Sequence, residues 1–201
     1  MGRMTQITNL LFVAFLASAC MPMETPTLAA TELAPSPTAA EKYHSLDTPT
    51  TMEEIDTILA AVNSNDKQKL NDLFSYTTIA CKTVNALGGP PPCREGEAEG
   101  TLVEVLPILG PEGTYLWKDE ISNWPGLDVA GLYAVYQVSD TVFSDENFPK
   151  GNYGIILAGE ENDLSVVLHI TDARIVRIDY PTSLDEILER DAERVILAPK
   201  G

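Results

Sequence analysis

The chain has few of the residues that build metal centres and nucleic-acid interfaces. Its 201 residues include two histidines, three cysteines and 13 lysines and arginines, against 30 acids, and its formal net charge is -17. A negative field of this size repels phosphate backbones, which proteins bind by neutralising them with Lys and Arg. It also disfavours contact with anionic lipid. We therefore expect no nucleic-acid partner, whereas a basic protein partner is compatible with the charge.

The amino-terminal apolar run is too short to cross a bilayer as a helix. Leu10 to Ala19 is a stretch of about ten residues, and Arg3 precedes it. A spanning helix needs ~20 apolar residues. A positive residue followed by a short apolar core and then by small residues is typical of an export signal. The protein is therefore predicted to act outside the cytoplasm.

The signal ends in the run Leu16-Ala17-Ser18-Ala19-Cys20. This run resembles the lipobox of bacterial lipoproteins, although Ala17 stands where leucine is usual. The resemblance implies that the Cys20 thiol receives a diacylglyceryl group carrying acyl chains such as palmitate. Residues 1–19 would be cleaved off as a lipoprotein signal peptide, and Cys20 would anchor the mature chain to the cell membrane on its extracytoplasmic face. The alternative is ordinary signal cleavage with Cys20 incidental.

Residues 20–50 are predicted to form a disordered linker that follows the lipid anchor. Between Pro22 and Thr50 the chain has five Pro, six Thr and five Ala, with almost no aliphatic periodicity. Such a composition buries too little apolar surface to order itself. Proline at this density extends the chain, so the linker is expected to act as a spacer. The alternative, that its end packs onto the domain, is supported by Tyr43, His44 and Leu46, although His44 is expected to be solvated.

Residues 51–201 are predicted to fold as a single globular domain, since 151 residues of ordinary composition can bury one core. Thr51-Met52-Glu53-Glu54 has the spacing of a capping box and predicts a first helix to about Val62. Asn63-Ser64-Asn65-Asp66 is predicted to be a turn and the cap of a second helix that runs to about Tyr76. Ser183 starts another capping box, and an apolar face behind it predicts a carboxy-terminal helix to about Arg194.

Five strands are expected between these helices, all of them paired antiparallel. The signals are short runs rich in β-branched and aliphatic residues, separated by turn residues. A hairpin is predicted about Thr171-Asp172-Ala173 because its two arms are joined by a short connection. A short helix is also expected from Leu116 to Trp124. The predicted strands are Thr101 to Ile108, Gly131 to Val138, Tyr153 to Leu157, Leu164 to Ile170 and Arg174 to Tyr180.

Cys81 and Cys93 are predicted to form a disulfide. They bracket Gly88-Gly89-Pro90-Pro91-Pro92, which can be neither a helix nor a central strand and must be a loop. In an oxidising compartment, two cysteines that close such a loop favour a disulfide. A zinc site is the alternative, but His44 and His169 lack the spacing of metal ligands. We therefore expect no metal and no cofactor.

The order of the elements predicts an α+β fold, in which the amino-terminal helices pack on a curved antiparallel sheet and a carboxy-terminal helix follows. Two segments resemble the NTF2-like superfamily, one its first helices and the other its closing strand. The resemblance implies a cone with a pocket between helices and sheet, which some members use for isomerase or hydrolase chemistry and many use only for binding. The two segments are Ile55 to Asp66, followed by Leu70 and Leu73, and Asp172 to Tyr180.

Three side chains on the predicted strands are candidates for proton transfer. Alternation places Leu132, Ala134 and Tyr136 on one face of their strand. His169 shares a face with Val167, and Asp179 lies opposite the face that carries Ile178.

An inward tyrosine, histidine and acid can together act as acid and base at a carbonyl. A histidine or tyrosine on a strand is, however, more often a structural residue, so no catalytic residue is assigned. The sequence favours a noncatalytic module that binds a small ligand or a protein, and an NTF2-like pocket enzyme is the alternative.

Overall fold

A computed structural model describes residues 42–84, 88–110, 113–159 and 165–200. The described chain is a mixed α/β fold with a large, mostly antiparallel sheet of eight strands and few helices. The predicted signal peptide, Cys20 and most of the predicted linker lie outside the described residues. The helices are α1 (Glu53–Asn63), α2 (Lys67–Asn71), a 3-10 helix (Lys118–Asn123) and α3 (Leu184–Asp191).

The eight strands are numbered in chain order. The five predicted strands are all present, at slightly different bounds, and three further strands were not predicted, namely Thr77–Ala80, Thr114–Trp117 and Ala192–Leu197. The strands are β1 (Thr77–Ala80), β2 (Leu102–Leu109), β3 (Thr114–Trp117), β4 (Val129–Val138), β5 (Tyr153–Gly159), β6 (Val166–Thr171), β7 (Arg174–Asp179) and β8 (Ala192–Leu197).

Two of the three predicted helix caps are present in the structure. The Asp66 side chain accepts from the backbone N–H groups of Gln68 and Lys69, and Ser183 accepts from that of Glu186. The capping box at Thr51 is wrong, because Met52 caps α1 and makes no side-chain hydrogen bond.

Neighbouring Thr50 instead ties the entry of α1 to its first turn. Its hydroxyl donates to Asp56 Oδ1 at 2.7 Å, and its backbone N–H donates to the same oxygen at 2.9 Å. The hydrogen bonds of Thr50 therefore take the place of the capping box that was predicted at Thr51.

The strands pair in the order β1-β2-β7-β6-β5-β4-β8, and β3 pairs with β2 off this path. The expectation that every pair is antiparallel is wrong for β2 and β7, which run parallel at Ile108–Ile178 and Leu109–Asp179. The hairpin of β6 and β7 is confirmed. Its two turn residues, Asp172 and Ala173, both have positive φ, as a type I′ turn requires.

A β-bulge corrects the expected faces of β4. The pairing of β4 with β5 shifts between Leu132 and Ala134. As a result Leu132 packs in one apolar cluster, while Ala134 and Tyr136 pack in another. The prediction that Leu132 shares a face with Tyr136 is therefore wrong, because the extra residue reverses the alternation.

Three elements differ in type or length from the sequence prediction. The second helix, α2, ends at Asn71 rather than near Tyr76, because Phe74 forms a bridge with Ile175 of β7. In place of a helix from Leu116 to Trp124, β3 ends at Trp117 and a 3-10 helix follows it. The last helix ends at Asp191 rather than near Arg194, because the chain turns into β8, which pairs with β4.

Apolar side chains pack in two main clusters around the sheet. The α1-side cluster joins α1 and α2 to the sheet, and its fully buried members include Ile55, Ile58, Leu59, Leu132, Val135, Ile155, Leu168 and Ile178. The α3-side cluster joins α3 to the sheet, and it consists of Ala134, Tyr136, Val138, Ile156, Val167 and Ile187.

Residues 42–50, the end of the predicted linker, lie against the sheet. The backbone of His44 exchanges two hydrogen bonds with Leu132, and Tyr43 is buried. The ring of His44, which was expected to be solvated, lies 2.8 Å from the Ala198 carbonyl through Nε2. A Cβ at Gly131 would lie 2.8 Å from the His44 carbonyl oxygen, so this approach requires glycine. The packing alternative therefore holds for this end of the segment.

The predicted disulfide between Cys81 and Cys93 is present, with a sequence separation of 12. Cys81 is fully buried beside Ile79, Val103 and Val105. A cross-link that closes a loop of this length stabilises the fold by about 3 kcal/mol through the entropy of the unfolded chain.

Candidate functional site

A buried polar cluster lies on the α3 side of the sheet. His169 projects from β6 on the face of Val167, and Arg177 and Asp179 project from β7 to meet it. The His169 and Arg177 side chains are each only 1% exposed, and Asp179 is 15% exposed. We call these three residues the buried triad. Charged groups this deeply buried are stable only when they are paired and hydrogen-bonded.

Arg177 supplies most of the hydrogen bonds in the buried triad. Its Nε donates to Asp179 Oδ1 at 2.8 Å, and its Nη2 donates to Asp179 Oδ2 at 2.9 Å. The remaining nitrogen, Nη1, donates to the carbonyl oxygens of Phe143 at 3.1 Å and Phe148 at 3.4 Å. The guanidinium therefore neutralises one carboxylate and holds two points of the β4–β5 loop.

His169 is held at both ring nitrogens. Its Nδ1 lies 2.6 Å from the Lys150 carbonyl oxygen, which only accepts, so Nδ1 carries a hydrogen and donates. Its Nε2 lies 2.9 Å from Asp179 Oδ2 and 3.0 Å from Arg177 Nη2. A neutral ring accepts there from Arg177, and a protonated ring donates to Asp179. The imidazole has a partner in either charge state and faces no solvent.

The pKa of Asp179 is lowered by its partners in spite of burial. Burial alone raises the pKa of a carboxyl group, but the attraction and hydrogen bonds of His169 and Arg177 outweigh it, and the pKa falls below its ordinary value. Asp179 is therefore ionised at neutral pH, and the buried triad holds a carboxylate rather than a carboxylic acid.

Tyr136 lies on the same side of the sheet as the buried triad. It is fully buried in the α3-side cluster, and its hydroxyl has no hydrogen-bond partner among the described residues. Burial, and secondly the negative charges of Asp191 and Asp179, raise its pKa above the ordinary value. Its ring packs on Gly154, where an added Cβ would lie 2.3 Å from the ring. Tyr136 is thus an inward, protonated phenol.

The structure brings together two of the three side chains that the sequence singled out for proton transfer. His169 and Asp179 are hydrogen-bonded, and the Tyr136 hydroxyl bonds to neither. Arg177 was not predicted from the sequence. Its position two residues before Asp179 on one strand places both on the same face, and this spacing is the signal that could have found it.

One wall of a solvent-connected cleft is formed by Asp179. The cleft, which we call the α3 cleft, has a volume of about 280 Å³ and lies between α3 and the ends of β2 and β7. His169, Arg177 and Tyr136 do not line it. Its lining residues are Leu109, Gly110, Asp179, Tyr180, Pro181, Thr182, Ser183, Glu186, Ile187 and Arg190.

The α3 cleft offers hydroxyl groups and charges of both signs. Thr182 and Ser183 contribute hydroxyls, while Asp179 and Glu186 contribute carboxylates. Arg190 is fixed at the rim, because its Nε and Nη2 donate to the buried carboxylate of Asp191 at 2.6 and 2.8 Å. Such a lining suits a small polar ligand held by hydrogen bonds.

The space between α1, α2 and the sheet is filled by side chains of the α1-side cluster. Among the described residues, the cavity lined by Ala61, Val62 and Leu70 has a volume of about 10 Å³, which is too small for an organic ligand. The pocket that the NTF2-like resemblance implied would lie here. The α3 cleft, on the other side of the sheet, is therefore the better candidate site.

A second cleft of about 520 Å³ lies beside the disulfide loop. There the Arg94 guanidinium stacks on the Trp117 ring at 3.7 Å and donates to Asp119 and Glu120. Lys118, also in this cleft, donates to Glu104 at 2.7 Å. The cations of this cleft are already paired within the chain, so it is the weaker candidate for a polar ligand.

The described part of the chain holds no group of three or more His, Cys, Asp or Glu side chains placed to bind a metal ion. Over the same residues, no helix combines the length and apolar character needed to cross a bilayer. Comparisons with protein-family models, curated proteins and solved structures found no match.

Proposed function

We propose that this protein is a lipid-anchored, extracytoplasmic lipoprotein that works as a noncatalytic binding module, with the α3 cleft as its small-ligand site. The observation that carries the noncatalytic role is the closure of the buried triad. The nitrogens of His169 and Arg177 are engaged inside the fold, so neither side chain can reach a molecule in the cleft. Asp179 alone reaches the cleft, and both its oxygens already accept hydrogen bonds.

The proposed location is supported by the signal and by the disulfide. The run Leu16 to Cys20 has the lipobox pattern. The Cys81–Cys93 disulfide suits an oxidising compartment. We also propose that the helices cover one face of a curved sheet. The apolar cluster that α1 shares with the sheet supports this arrangement.

Metabolic labelling with radioactive palmitate tests the anchor. We expect the full chain, expressed in a bacterium, to incorporate the label and to fractionate with membranes. A Cys20→Ser variant should lose both properties, whereas the double variant Cys81→Ser/Cys93→Ser should keep the label. Equal labelling of the Cys20→Ser variant and the unmodified chain would overturn the lipid anchor.

A ligand screen by thermal shift and NMR tests the α3 cleft. We expect a small polar molecule to stabilise the full chain and to shift resonances of residues that line the cleft. Glu186→Gln should weaken that binding, whereas Glu189→Gln, an exposed change on the same helix outside the cleft lining, should not. Shifts confined to residues outside the cleft would reject this site.

One observation favours the alternative, a pocket enzyme that transfers protons. Asp179 lines the cleft and is hydrogen-bonded to His169 at 2.9 Å, so a carboxylate at the cleft wall is coupled to an imidazole. If the chain is an enzyme of isomerase or hydrolase type, ligands that bind the cleft will be turned over. Asp179→Asn should then remove turnover and leave binding. Binding without turnover supports the noncatalytic role.

A further inference from the structure

Two loops pack against each other at the end of the sheet that carries the disulfide. Residues 82–92 form the disulfide loop, and residues 139–152 form the β4–β5 loop. Tyr115 of β3 lies between them: its hydroxyl donates to the Gly89 carbonyl at 3.1 Å, and its ring lies 5.3 Å from that of Phe148. We call the exposed side chains of residues 82–84 and 140–146 the two-loop surface.

The described residues of both loops are held by contacts inside the fold. Arg177 and His169 hold the β4–β5 loop at the carbonyl oxygens of Phe143, Phe148 and Lys150. Within that loop the Asp145 side chain accepts from the backbone N–H groups of Asn147 and Phe148, each at 2.8 Å. The disulfide closes the other loop. Side chains on the two-loop surface are therefore presented with little further loss of conformational entropy on binding.

The two-loop surface exposes two large apolar side chains. Phe143 is 58% exposed and Val84 is 73% exposed. The Phe143 ring lies 6.3 Å from the buried ring of Phe148, so it stands at the outer end of an aromatic row that begins inside the fold. Aromatic side chains held in this way are typical anchors of protein interfaces.

The charge around Phe143 is negative. The β4–β5 loop has three acids and one lysine. That lysine, Lys150, is already paired with Asp140, and Lys82 at the other side of the two-loop surface is paired with Glu99. Asp145 and Glu146 are exposed and form no ion pair with the described residues. This charge disfavours an anionic lipid surface or a nucleic acid as the partner. It complements a positively charged polypeptide.

We propose that the two-loop surface docks a basic protein segment, which places an apolar side chain beside Phe143. This inference is separate from the proposed ligand site, because no residue of the two-loop surface lines the α3 cleft. The apolar contact contributes affinity. The acids on the loop favour a positively charged partner and speed its association at low salt.

Site-specific photo-crosslinking in the full chain, in its own membrane, tests the proposal. A photoreactive phenylalanine at position 143 is the probe. The same residue at position 195 is the control, because Val195 is 43% exposed on β8 and pairs with Tyr136 rather than with a residue of either loop. We expect position 143 to give an adduct with a basic protein and position 195 to give none with that protein. An adduct with lipid or with an acidic protein, or no adduct, would overturn the proposal.

Binding of the purified partner gives the second test. Phe143→Ser should weaken binding to the full chain about tenfold, because the partner loses an aromatic anchor that it covers on binding. Raising the salt concentration should weaken binding further. Val195→Ser and Glu186→Gln should leave binding unchanged. Equal binding by Phe143→Ser and the unmodified chain would reject the surface, whereas a failure of the ligand screen at the α3 cleft would not affect it.

Discussion

A single guanidinium holds together the polar groups on the α3 side of the sheet. Arg177 is among the largest fully buried side chains of the protein, and it donates to Asp179 and to two carbonyls of the β4–β5 loop. Removing one member of a buried ion pair leaves an unpaired charge, and this costs more than the pair itself contributes. Removing Arg177 alone should therefore destabilise the fold more than removing Arg177 and Asp179 together, and single and double variants test this difference.

Arg177→Met should lower the free energy of unfolding by about 3–5 kcal/mol, because Asp179 loses the guanidinium that neutralises it inside the fold. The double variant Arg177→Met/Asp179→Leu should lose less than the single variant, since it buries no unpaired charge. Urea denaturation of both variants measures the difference. A double variant less stable than Arg177→Met would contradict the assigned pairing.

Asp179 should make the stability of the fold depend on acid pH. Its folded pKa lies below the ordinary value of 3.8, so the ionised group stabilises the fold above the unfolded pKa. That contribution is lost as the pH falls through the folded pKa. Asp179→Asn should therefore flatten the decline of stability below about pH 5.

Urea denaturation at a series of pH values checks this dependence. Asp119→Asn is the matched control, because Arg94 lowers the pKa of Asp119 but the carboxyl group is exposed and screened by solvent. It should change the slope less than Asp179→Asn does, and an equal or larger change would contradict the buried ion pair.

Tyr136→Phe should leave the fold as stable as before or stabilise it by about 1 kcal/mol. The variant removes a buried hydroxyl that has no hydrogen-bond partner among the described residues, and a buried, unpaired polar group costs free energy. Tyr133→Phe is the control, since the Tyr133 hydroxyl donates to Asp185 and its removal deletes a hydrogen bond. Thermal denaturation measures both. A clear loss of stability in Tyr136→Phe would show that the hydroxyl has a partner.

At the scale of the elements, the β6–β7 turn combines the correct geometry with an unfavourable residue. A type I′ turn needs positive φ at both central positions, where Asn, Asp and Gly are preferred. Asp172 suits its position, with φ of 51°, but Ala173 has φ of 56° and carries a Cβ that this conformation disfavours. The hairpin therefore forms in spite of local strain at Ala173.

Ala173→Gly should raise the free energy of unfolding by about 1 kcal/mol, because glycine adopts positive φ without the steric cost of a Cβ. Asp172→Gly should give a smaller gain, since aspartate already tolerates this region. Chemical denaturation compares the two variants with the unmodified chain. A destabilised Ala173→Gly variant would mean that the entropy of the unfolded chain outweighs the relief of strain.

Elements with a local signal could be predicted from the sequence, and elements formed by distant pairing could not. Ser183 and Asp66 cap their helices as their spacing indicates. β8 was missed because the apolar positions of Ala192–Leu197 continue the helical spacing from Leu184, and only pairing with β4 makes this segment a strand. The bulge in β4 leaves no mark in the sequence, so the alternation rule put Leu132 on the wrong face.

At the scale of the whole molecule, the candidate site could be predicted only in part. Alternation placed His169 on the face of Val167 and Asp179 opposite the face of Ile178. It did not predict that the two meet, because their contact depends on the bulge between β6 and β7 near His169. Arg177 links this pair to the β4–β5 loop, and Asp179 links it to the α3 cleft. One continuous polar network therefore joins the two surfaces for which we propose ligand and partner binding.

This network predicts that a change at the wall of the α3 cleft alters the β4–β5 loop. Asp179→Asn removes the charge that Arg177 neutralises, so the hold of Arg177 on the carbonyls of Phe143 and Phe148 should weaken. In this variant, amide hydrogen exchange of residues 143–150 should be about tenfold faster than the change in global stability alone predicts. The amides of α1, outside the network, provide the measure of global opening.

Glu186→Gln is the matched control for this exchange experiment, because Glu186 lines the same cleft and forms no hydrogen bond with the buried triad. It should leave exchange in the loop unchanged. If Asp179→Asn accelerates exchange in the loop and in α1 by the same factor, the buried triad stabilises the fold as a whole and does not connect the cleft to the loop.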